Sequence, residues 1–166
     1  NFLKGIGVTM DSVTLPSSYP FRAFDSILRA ESGAYFDKLI LSDQIDMMTQ
    51  QTSRSRANSL RQSRFIPAIE YLQANRLRRR LIQEMFDLFK DYDVIIAPGR
   101  GSQQSLITNL TGHPSISIPS GFDNKGRPTS ITLIGNLFDE ASILRFANFY
   151  QEKTDHEDKY PPIFNN

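Results

Sequence analysis

Side chains that could make or break a covalent bond are few in this chain of 166 residues. Adjacent serines occur once, at Ser17 and Ser18, after a proline and with no neighbouring glycine. A nucleophilic serine needs a base to take its proton and backbone amides to stabilise the oxyanion. The lysines lie outside apolar strands, the setting in which a lysine becomes a base: Lys4, Lys38, Lys90, Lys125, Lys153 and Lys159. The sequence therefore predicts no catalytic residue in this chain.

The sequence also contains no pattern that indicates a metal or cofactor site. His113 and His156 are the only histidines, they are far apart, and neither belongs to a His-Glu-x-x-His motif. The absence of cysteine excludes a disulfide framework and a thiolate zinc site. We predict no metal and no cofactor, and we interpret His113, between Gly112 and Pro114, as a surface or packing residue.

Two features of the sequence could indicate a phosphate-binding site. The glycine-containing segment 99–102 follows an apolar run, but it lacks the Gly-Lys-Ser/Thr ending of a phosphate loop, and no helix is predicted after it. Arginines are dense between Arg54 and Arg80, where Arg76, Arg79 and Arg80 would share a helix face. Such a stripe can bind nucleic acid, or it can be a solvated face paired with the chain's 18 acidic residues. Because no aromatic residues interleave with it, a nucleic-acid partner is not predicted.

Length and composition predict one domain over residues 1–166, ending in an extended tail at 152–166. The hydrophobic content of 39% suffices for one core, and no apolar run approaches the roughly 20 residues of a membrane span. No leader pattern opens the chain, so we predict a cytoplasmic protein without a membrane partner. The first residue is Asn rather than Met, which suggests a start within a longer gene product.

Hydrophobic periodicity predicts alternating helices and strands. A strand is expected within residues 5–15, and a helix after Ser17 that breaks near Ser32-Gly33 and resumes to residue 41. Residues 42–63 are predicted as loop with short helices, and residues 65–92 as a long helix. A buried strand at 94–97 follows, then a loop at 98–104. A last helix is expected to begin at Asp139 as its N-cap, with these residues facing inward: Ile143, Leu144, Ala147 and Tyr150.

The segment from residue 109 to 136 predicts a strand–turn–strand unit. Two β-branched runs, 115–118 and 130–134, flank a polar turn at 123–127. Gly126 suits a turn position with positive φ, and Pro114 and Pro119 bracket the first run. A helix followed by an apolar strand and then this unit indicates an α/β arrangement.

Several ordered motifs give the chain a family resemblance. They are Asn-x-x-Gly-x-Pro at 109–114, Pro-x-Gly at 119–121, Tyr-Asp-Val-Ile-Ile-Ala-Pro at 92–98 and Phe-Asp-Glu at 138–140. Together they resemble the C-terminal portion of the amidase signature family, whose members hydrolyse amides, or transfer the released ammonia, with a Lys–Ser–Ser triad. The resemblance implies an α/β fold, a mixed sheet with helices on its faces, and a small-molecule amide substrate in the full-length enzyme.

The same resemblance assigns roles to residues. In the family the catalytic lysine and the Gly/Ser-rich segment lie upstream of the matched part, so the chain alone is expected to be inactive. Asn109, Gly112, Pro114, Pro119 and Gly121 become a substrate-pocket or structural motif. The two glycines are expected at positive φ or in a close approach, the prolines at the two ends of a strand, and Asn109 in side-chain bonds to its loop.

Two alternatives stay open. The chain could be a non-catalytic interaction module, or part of the A subunit of a glutamine-dependent tRNA amidotransferase. For the amidotransferase an acidic residue is expected shortly before Asn109, and segment 102–105 contains none. In the family, the upstream part contributes strands to the same sheet. Without these strands a sheet edge or an apolar face would be uncovered, so we predict a homo-oligomer formed through it.

Overall fold

The computed structural model describes residues 2–99 and 103–161, which contain seven α-helices, three β-strands and two short 3₁₀ turns. The helices are α1 (Phe2–Gly5), α2 (Asp25–Tyr35), α3 (Asp37–Leu41), α4 (Arg56–Ser63), α5 (Ala68–Leu88), α6 (Gln104–Thr111) and α7 (Glu140–Glu152). The strands are β1 (Val94–Pro98), β2 (Ser115–Phe122) and β3 (Pro128–Gly135). The chain divides into two compact units, one made of Asn1–Ser17 with Gln83–Asn166 and the other of Ser18–Ile82.

The first unit is built on a three-stranded sheet in the order β1-β3-β2. Ile96, Leu133 and Ile116 stand opposite one another across the three strands, so their side chains share one face. That face packs against α7 through Ile143 and its neighbours, and Leu3 of α1 joins the same cluster. The buried members are Leu3, Ile118, Leu133, Ile143, Ala147 and Tyr150. The core of this unit therefore lies between the sheet and α7.

The α/β class of the sequence prediction is confirmed, and the strand directions add a correction. Both strand pairs in the described residues are antiparallel, whereas a mixed sheet also contains parallel pairs. The reason is local for β2 and β3, because a five-residue turn at 123–127 joins them and only antiparallel neighbours can be joined so briefly. The predicted strand–turn–strand unit is confirmed, with both strands longer than the runs 115–118 and 130–134.

The second unit packs α2 against α4 around a small cluster of Ile45, Ala57 and Leu60. Gly33 is buried inside α2, and a β-carbon on it would lie 2.7 Å from the β-carbon of Ser63 on α4. The predicted helix break at Ser32-Gly33 is therefore wrong, since this glycine allows a close approach of two helices. The helix ends instead at Tyr35, before α3.

Three further expectations differ from the structure. The segment predicted as a strand within 5–15 forms the end of α1 and then irregular backbone, because no neighbouring strand bonds to it in the described residues. Helix α6 was not predicted, although Gly112 just after it has φ +82° and makes a typical helix end. Asp139 is the N-cap of α7 as predicted, although its side chain makes no capping bond, whereas Leu144 is exposed rather than inward-facing.

The long helix predicted over 65–92 is confirmed as α5, which begins after Pro67 and is the longest helix of the described residues. Strand β1 follows it at the predicted place. No helix among residues 2–99 and 103–161 combines the length and the apolar content needed to cross a membrane.

Candidate functional site

A cavity of about 660 Å³ lies at the end of the sheet where β1 stops and the β2–β3 turn begins. Its lining residues come from two separate parts of the chain: Pro98, Gly99, Asp123, Arg127, Pro128, Thr129 and Ser130. Gly99 brings them together, because its N–H donates to the Ser130 carbonyl at 3.0 Å. A β-carbon on Gly99 would lie only 2.5 Å from that carbonyl oxygen. The cavity thus depends on a glycine at position 99.

The charged wall of the cavity is the pair Asp123 and Arg127. One carboxylate oxygen of Asp123 accepts the backbone N–H groups of Lys125 and Arg127 at 2.9 Å each, and the other accepts from the Arg127 side-chain Nε at 2.8 Å. The backbone N–H of Arg127, followed by its guanidinium and the Lys125 amide, lowers the pKa of Asp123 below its ordinary value. Asp123 is therefore ionised and fixed, and it holds an exposed guanidinium at the mouth of the cavity.

The hydroxyl groups of the cavity are engaged in strand-to-strand contacts. Ser120 donates to the Thr129 hydroxyl at 3.1 Å, and Ser130 lies beside Gly99. No lysine or histidine is among the lining residues in the described part of the chain, and the carboxylate of Asp123 bonds to Lys125 and Arg127 rather than to a hydroxyl. The arrangement can bind the polar end of a small molecule through Arg127 and the hydroxyls, but it has no activated nucleophile.

The residues predicted from the motif lie elsewhere in the same unit. Gly112 has φ +82° and ends α6, and Pro114 accepts the N–H of Gly135 at 3.0 Å just before β2 begins. Gly121 has φ +106° and follows a bulge that starts at Pro119. Both glycine angles agree with the prediction of positive φ. None of these residues is among those that line the cavity.

Asn109 differs from its prediction. It lies on α6 rather than in a loop, it is exposed, and its side chain makes no hydrogen bond to the described residues. Gln104, the first residue of α6, is bonded to the end of β1, because its side-chain nitrogen donates to the Pro98 carbonyl at 2.6 Å. Sequence reasoning did not single out Gln104, Asp123 or Ser130. The signal for Asp123 was present, because an aspartate four residues before an arginine within a turn can bond to both its backbone and its side chain.

His113 is a buried packing residue. Its ring stacks on Phe89 at 5.1 Å between centroids, with an angle of 16° between the planes. The Thr111 hydroxyl donates to the Ile107 carbonyl, so it can only accept from His113, which assigns the ring proton to Nδ1. Nε2 is buried without a partner in the described residues, and burial lowers the pKa of this imidazole.

Protonation of His113 is expected to destabilise the fold in mild acid. Its folded pKa lies below the unfolded value of about 6.5, so the unfolded chain binds the proton more readily. The stabilising contribution is complete above the unfolded pKa and is lost as pH falls below it towards the folded pKa. The slope can reach about 1.4 kcal/mol per pH unit in this window. Urea unfolding of the wild type between pH 7.5 and pH 5 measures it.

The control is His113→Phe, which keeps the stacked ring on Phe89 and removes the titrating nitrogen. The variant is expected to lose less stability than the wild type over the same pH interval. Equal losses in the two proteins would assign the acid sensitivity to other groups.

The arginine-rich surface is partly paired. Arg61 forms an ion pair with Asp46, and Arg64 forms one with Asp37. None of the ion pairs in the described residues involves Arg76, Arg79 or Arg80, so the interpretation of their helix face stays a prediction. Among the described residues no group of three or more His, Asp and Glu side chains is arranged to hold a metal ion.

Sequence comparison identifies known proteins that are similar to this chain. No family model matches the chain. The A subunit of glutamyl-tRNA(Gln) amidotransferase from Halalkalibacterium halodurans is 29% identical over 97% of this chain, and the match covers 41% of that protein. The A subunit from Nitrosospira multiformis is 34% identical over 55% of this chain and 23% of its own length. The chain thus spans about two fifths of the first of these relatives.

Solved structures give the same fold. A crystal structure of an amidase superimposes with a TM-score of 0.71 at 16% identity, covering 91% of this chain and 39% of the other. The peptide amidase from Stenotrophomonas maltophilia gives a TM-score of 0.66 at 20% identity, covering 93% of this chain and 37% of the enzyme. At these identities the likeness shows the fold alone.

Proposed function

We propose that this chain, which has the amidase-signature fold and is similar to the C-terminal portion of its sequence relatives, supplies the scaffold and one wall of the substrate pocket of an amide hydrolase. The observation that carries the proposal is the match over 97% of the chain to the A subunit of a glutamyl-tRNA(Gln) amidotransferase. The cavity beside Gly99 supports it, because Arg127 and the strand hydroxyls offer polar groups to a small molecule. The substrate of such a hydrolase is a small-molecule amide.

In this proposal the chain binds and orients the amide substrate, and residues outside this chain break the amide bond. The sequence contains no Gly/Ser-rich nucleophile segment, and its one adjacent serine pair, Ser17 and Ser18, lies in exposed irregular backbone. In the described cavity lining no hydroxyl is hydrogen-bonded to a lysine, a histidine or a carboxylate, because Asp123 is engaged by Lys125 and Arg127. A hydroxyl without a base does not attack an amide at a useful rate, so we expect catalysis to require further residues.

The isolated chain is therefore expected to hydrolyse no amide above background. Purified chain is assayed for ammonia release from a panel of aliphatic and aromatic amides, with the Stenotrophomonas maltophilia peptide amidase as positive control. A fluorophosphonate probe is expected to leave this chain unlabelled.

The double variant Ser17→Ala, Ser18→Ala serves as the matched control for this assay. Its background rate is expected to equal that of the wild type. Turnover by the wild type that disappears in the double variant would contradict the proposal and would identify a replacement nucleophile.

A second candidate is part of the A subunit of a tRNA amidotransferase, favoured by the names of the sequence relatives. Against it, the segment 102–105 provides no acidic side chain for the amino group of glutamine. Two other expectations stay predictions: a cytoplasmic location and self-association. A non-catalytic interaction module is distinguished from a hydrolase by whether amides bind to the cavity at all.

A further inference from the structure

The guanidinium of Arg127 uses only one of its edges to bind Asp123. Its Nε donates to the Asp123 carboxylate at 2.8 Å, and its Nη2 lies 2.7 Å from the same oxygen. A guanidinium has five N–H donors in a fixed planar arrangement. Nη1 makes no hydrogen bond to the described residues, so the end formed by Nη1 and Nη2 keeps two parallel N–H donors. Such a pair of donors binds a carboxylate through both of its oxygens.

The carboxylate of Asp123 does not compete for this free end. It is fixed by the backbone N–H groups of Lys125 and Arg127 and by the guanidinium, and it is the only carboxylate among the described lining residues. Asp123 and Arg127 are also the only charged residues in that lining, so their formal charges cancel. A singly charged ligand group therefore suits the cavity better than a phosphate group, which carries nearly two charges.

Two hydroxyl groups add donors to the same lining. Thr129 accepts from the Ser120 hydroxyl at 3.1 Å, so the proton of its own hydroxyl is available to a ligand. Ser130 makes no side-chain hydrogen bond to the described residues, and its hydroxyl can donate as well. A carboxylate has only acceptors, whereas a carboxamide would place N–H groups against these donors. The lining thus favours a carboxylate over a neutral amide beside Arg127.

The cavity is larger than a carboxylate needs. Its volume of about 660 Å³ is in the range of small-molecule sites. At its mouth, 72% of the Arg127 side chain is exposed, so an incoming ligand can reach the guanidinium. A ligand whose carboxylate is bound there has room to place an amide group in the remainder of the cavity.

We propose that this cavity selects amides that carry an ionised carboxylate, such as the monoamide of a dicarboxylic acid. The free end of Arg127 binds the carboxylate through two N–H groups, and the hydroxyls of Thr129 and Ser130 donate to the ligand. This inference rests on the proposed function, because it names the substrate class of the same cavity. Since Arg127 is exposed to water, the preference for a carboxylate over a carboxamide is expected to be only about 5- to 10-fold.

The test compares two ligands that differ in one group. Succinamate and succinamide have the same chain length, and succinamate carries a carboxylate where succinamide carries a second carboxamide. Binding of each ligand to the purified chain is measured at pH 7 by NMR titration, followed at the backbone amides of Gly99 and Ser130. Succinamate is expected to bind about 5- to 10-fold more tightly than succinamide.

Variants of the two cations in the β2–β3 turn identify the cause of the preference. Arg127→Gln is expected to abolish it, and Arg127→Lys to retain a small part, because lysine keeps the charge but not the paired donors. Lys125→Gln is the matched control. It removes the same charge from the same turn, but Lys125 is not among the lining residues and its backbone N–H still bonds to Asp123. This variant is expected to keep the preference.

The wild-type comparison alone decides the proposal if the Arg127 variants fail to fold. Equal affinities for the two ligands overturn it and leave the amide-binding role of the cavity in place. A preference that Lys125→Gln and Arg127→Gln reduce equally also overturns it, because general charge attraction would then be the cause. Binding of neither ligand at any soluble concentration contradicts both this proposal and the proposed function.

Discussion

Gly33→Ala is expected to lower the free energy of unfolding by about 2 kcal/mol, although alanine is the better helix former. The new β-carbon would lie 2.7 Å from the β-carbon of Ser63 and closer still to its hydroxyl, so α2 and α4 would have to separate. Helix propensity alone favours alanine by about 1 kcal/mol, which is smaller than the typical cost of overpacking a buried contact. Urea denaturation of the two proteins measures the difference.

A variant of the residue that contacts Gly33 tests whether the close approach of α2 and α4 is the cause. Ser63→Gly removes both atoms that the new methyl group would meet, so the double variant is expected to regain most of the lost stability. Gly5→Ala is the control, because a β-carbon there has no neighbour within 4 Å. If the double variant were as unstable as the sum of the single variants, the close approach of the two helices would not be the cause.

Gly99→Ala is expected to have the larger effect, a loss of about 3 kcal/mol or more. Here the obstacle is backbone, because the new β-carbon would lie 2.5 Å from the Ser130 carbonyl oxygen and 2.9 Å from its carbon. Accommodating it requires β1 and β3 to part at this end, which also breaks the bond from the Gly99 N–H. For a domain of this size the melting temperature is expected to fall by roughly 6–12 °C.

The two glycine variants are expected to respond differently when the neighbouring serine side chain is removed. Ser130→Gly removes a hydroxyl but leaves the carbonyl, so it is not expected to rescue Gly99→Ala as Ser63→Gly rescues Gly33→Ala. Full rescue by Ser130→Gly would mean that the side chain, and not the strand backbone, limits the space at position 99.

The parts of the fold that the sequence predicted are those with local causes. The β2–β3 unit depends on Gly126 and on a turn of five residues, and α5 depends on a long apolar repeat. The segment 8–15 shows the limit of this reasoning. Its composition suits a strand, but a strand forms only where a neighbouring strand is hydrogen-bonded to it. A local sequence pattern does not predict whether such a neighbour is present.

Glycine was the residue whose role the sequence left most ambiguous. Gly33 was interpreted as a helix breaker, whereas it allows contact with a serine 30 residues away in the chain. Gly112 was interpreted within its motif, and its value as the end signal of a helix was missed, so α6 was missed too. The cavity was beyond prediction because its two halves, 98–99 and 123–130, meet only after β1 and β3 have paired.

The order of the strands in the sheet also sets an entropic cost for each pairing. Strands β2 and β3 are neighbours in sequence, so their pairing closes a loop of only about five residues, whereas β1 and β3 meet across about thirty. Loop-closure entropy grows with the logarithm of length, and the longer loop costs roughly 1.5 kcal/mol more. The hairpin is therefore the part of this sheet least dependent on the rest of the chain, and β1 is the strand whose place relies most on side-chain burial.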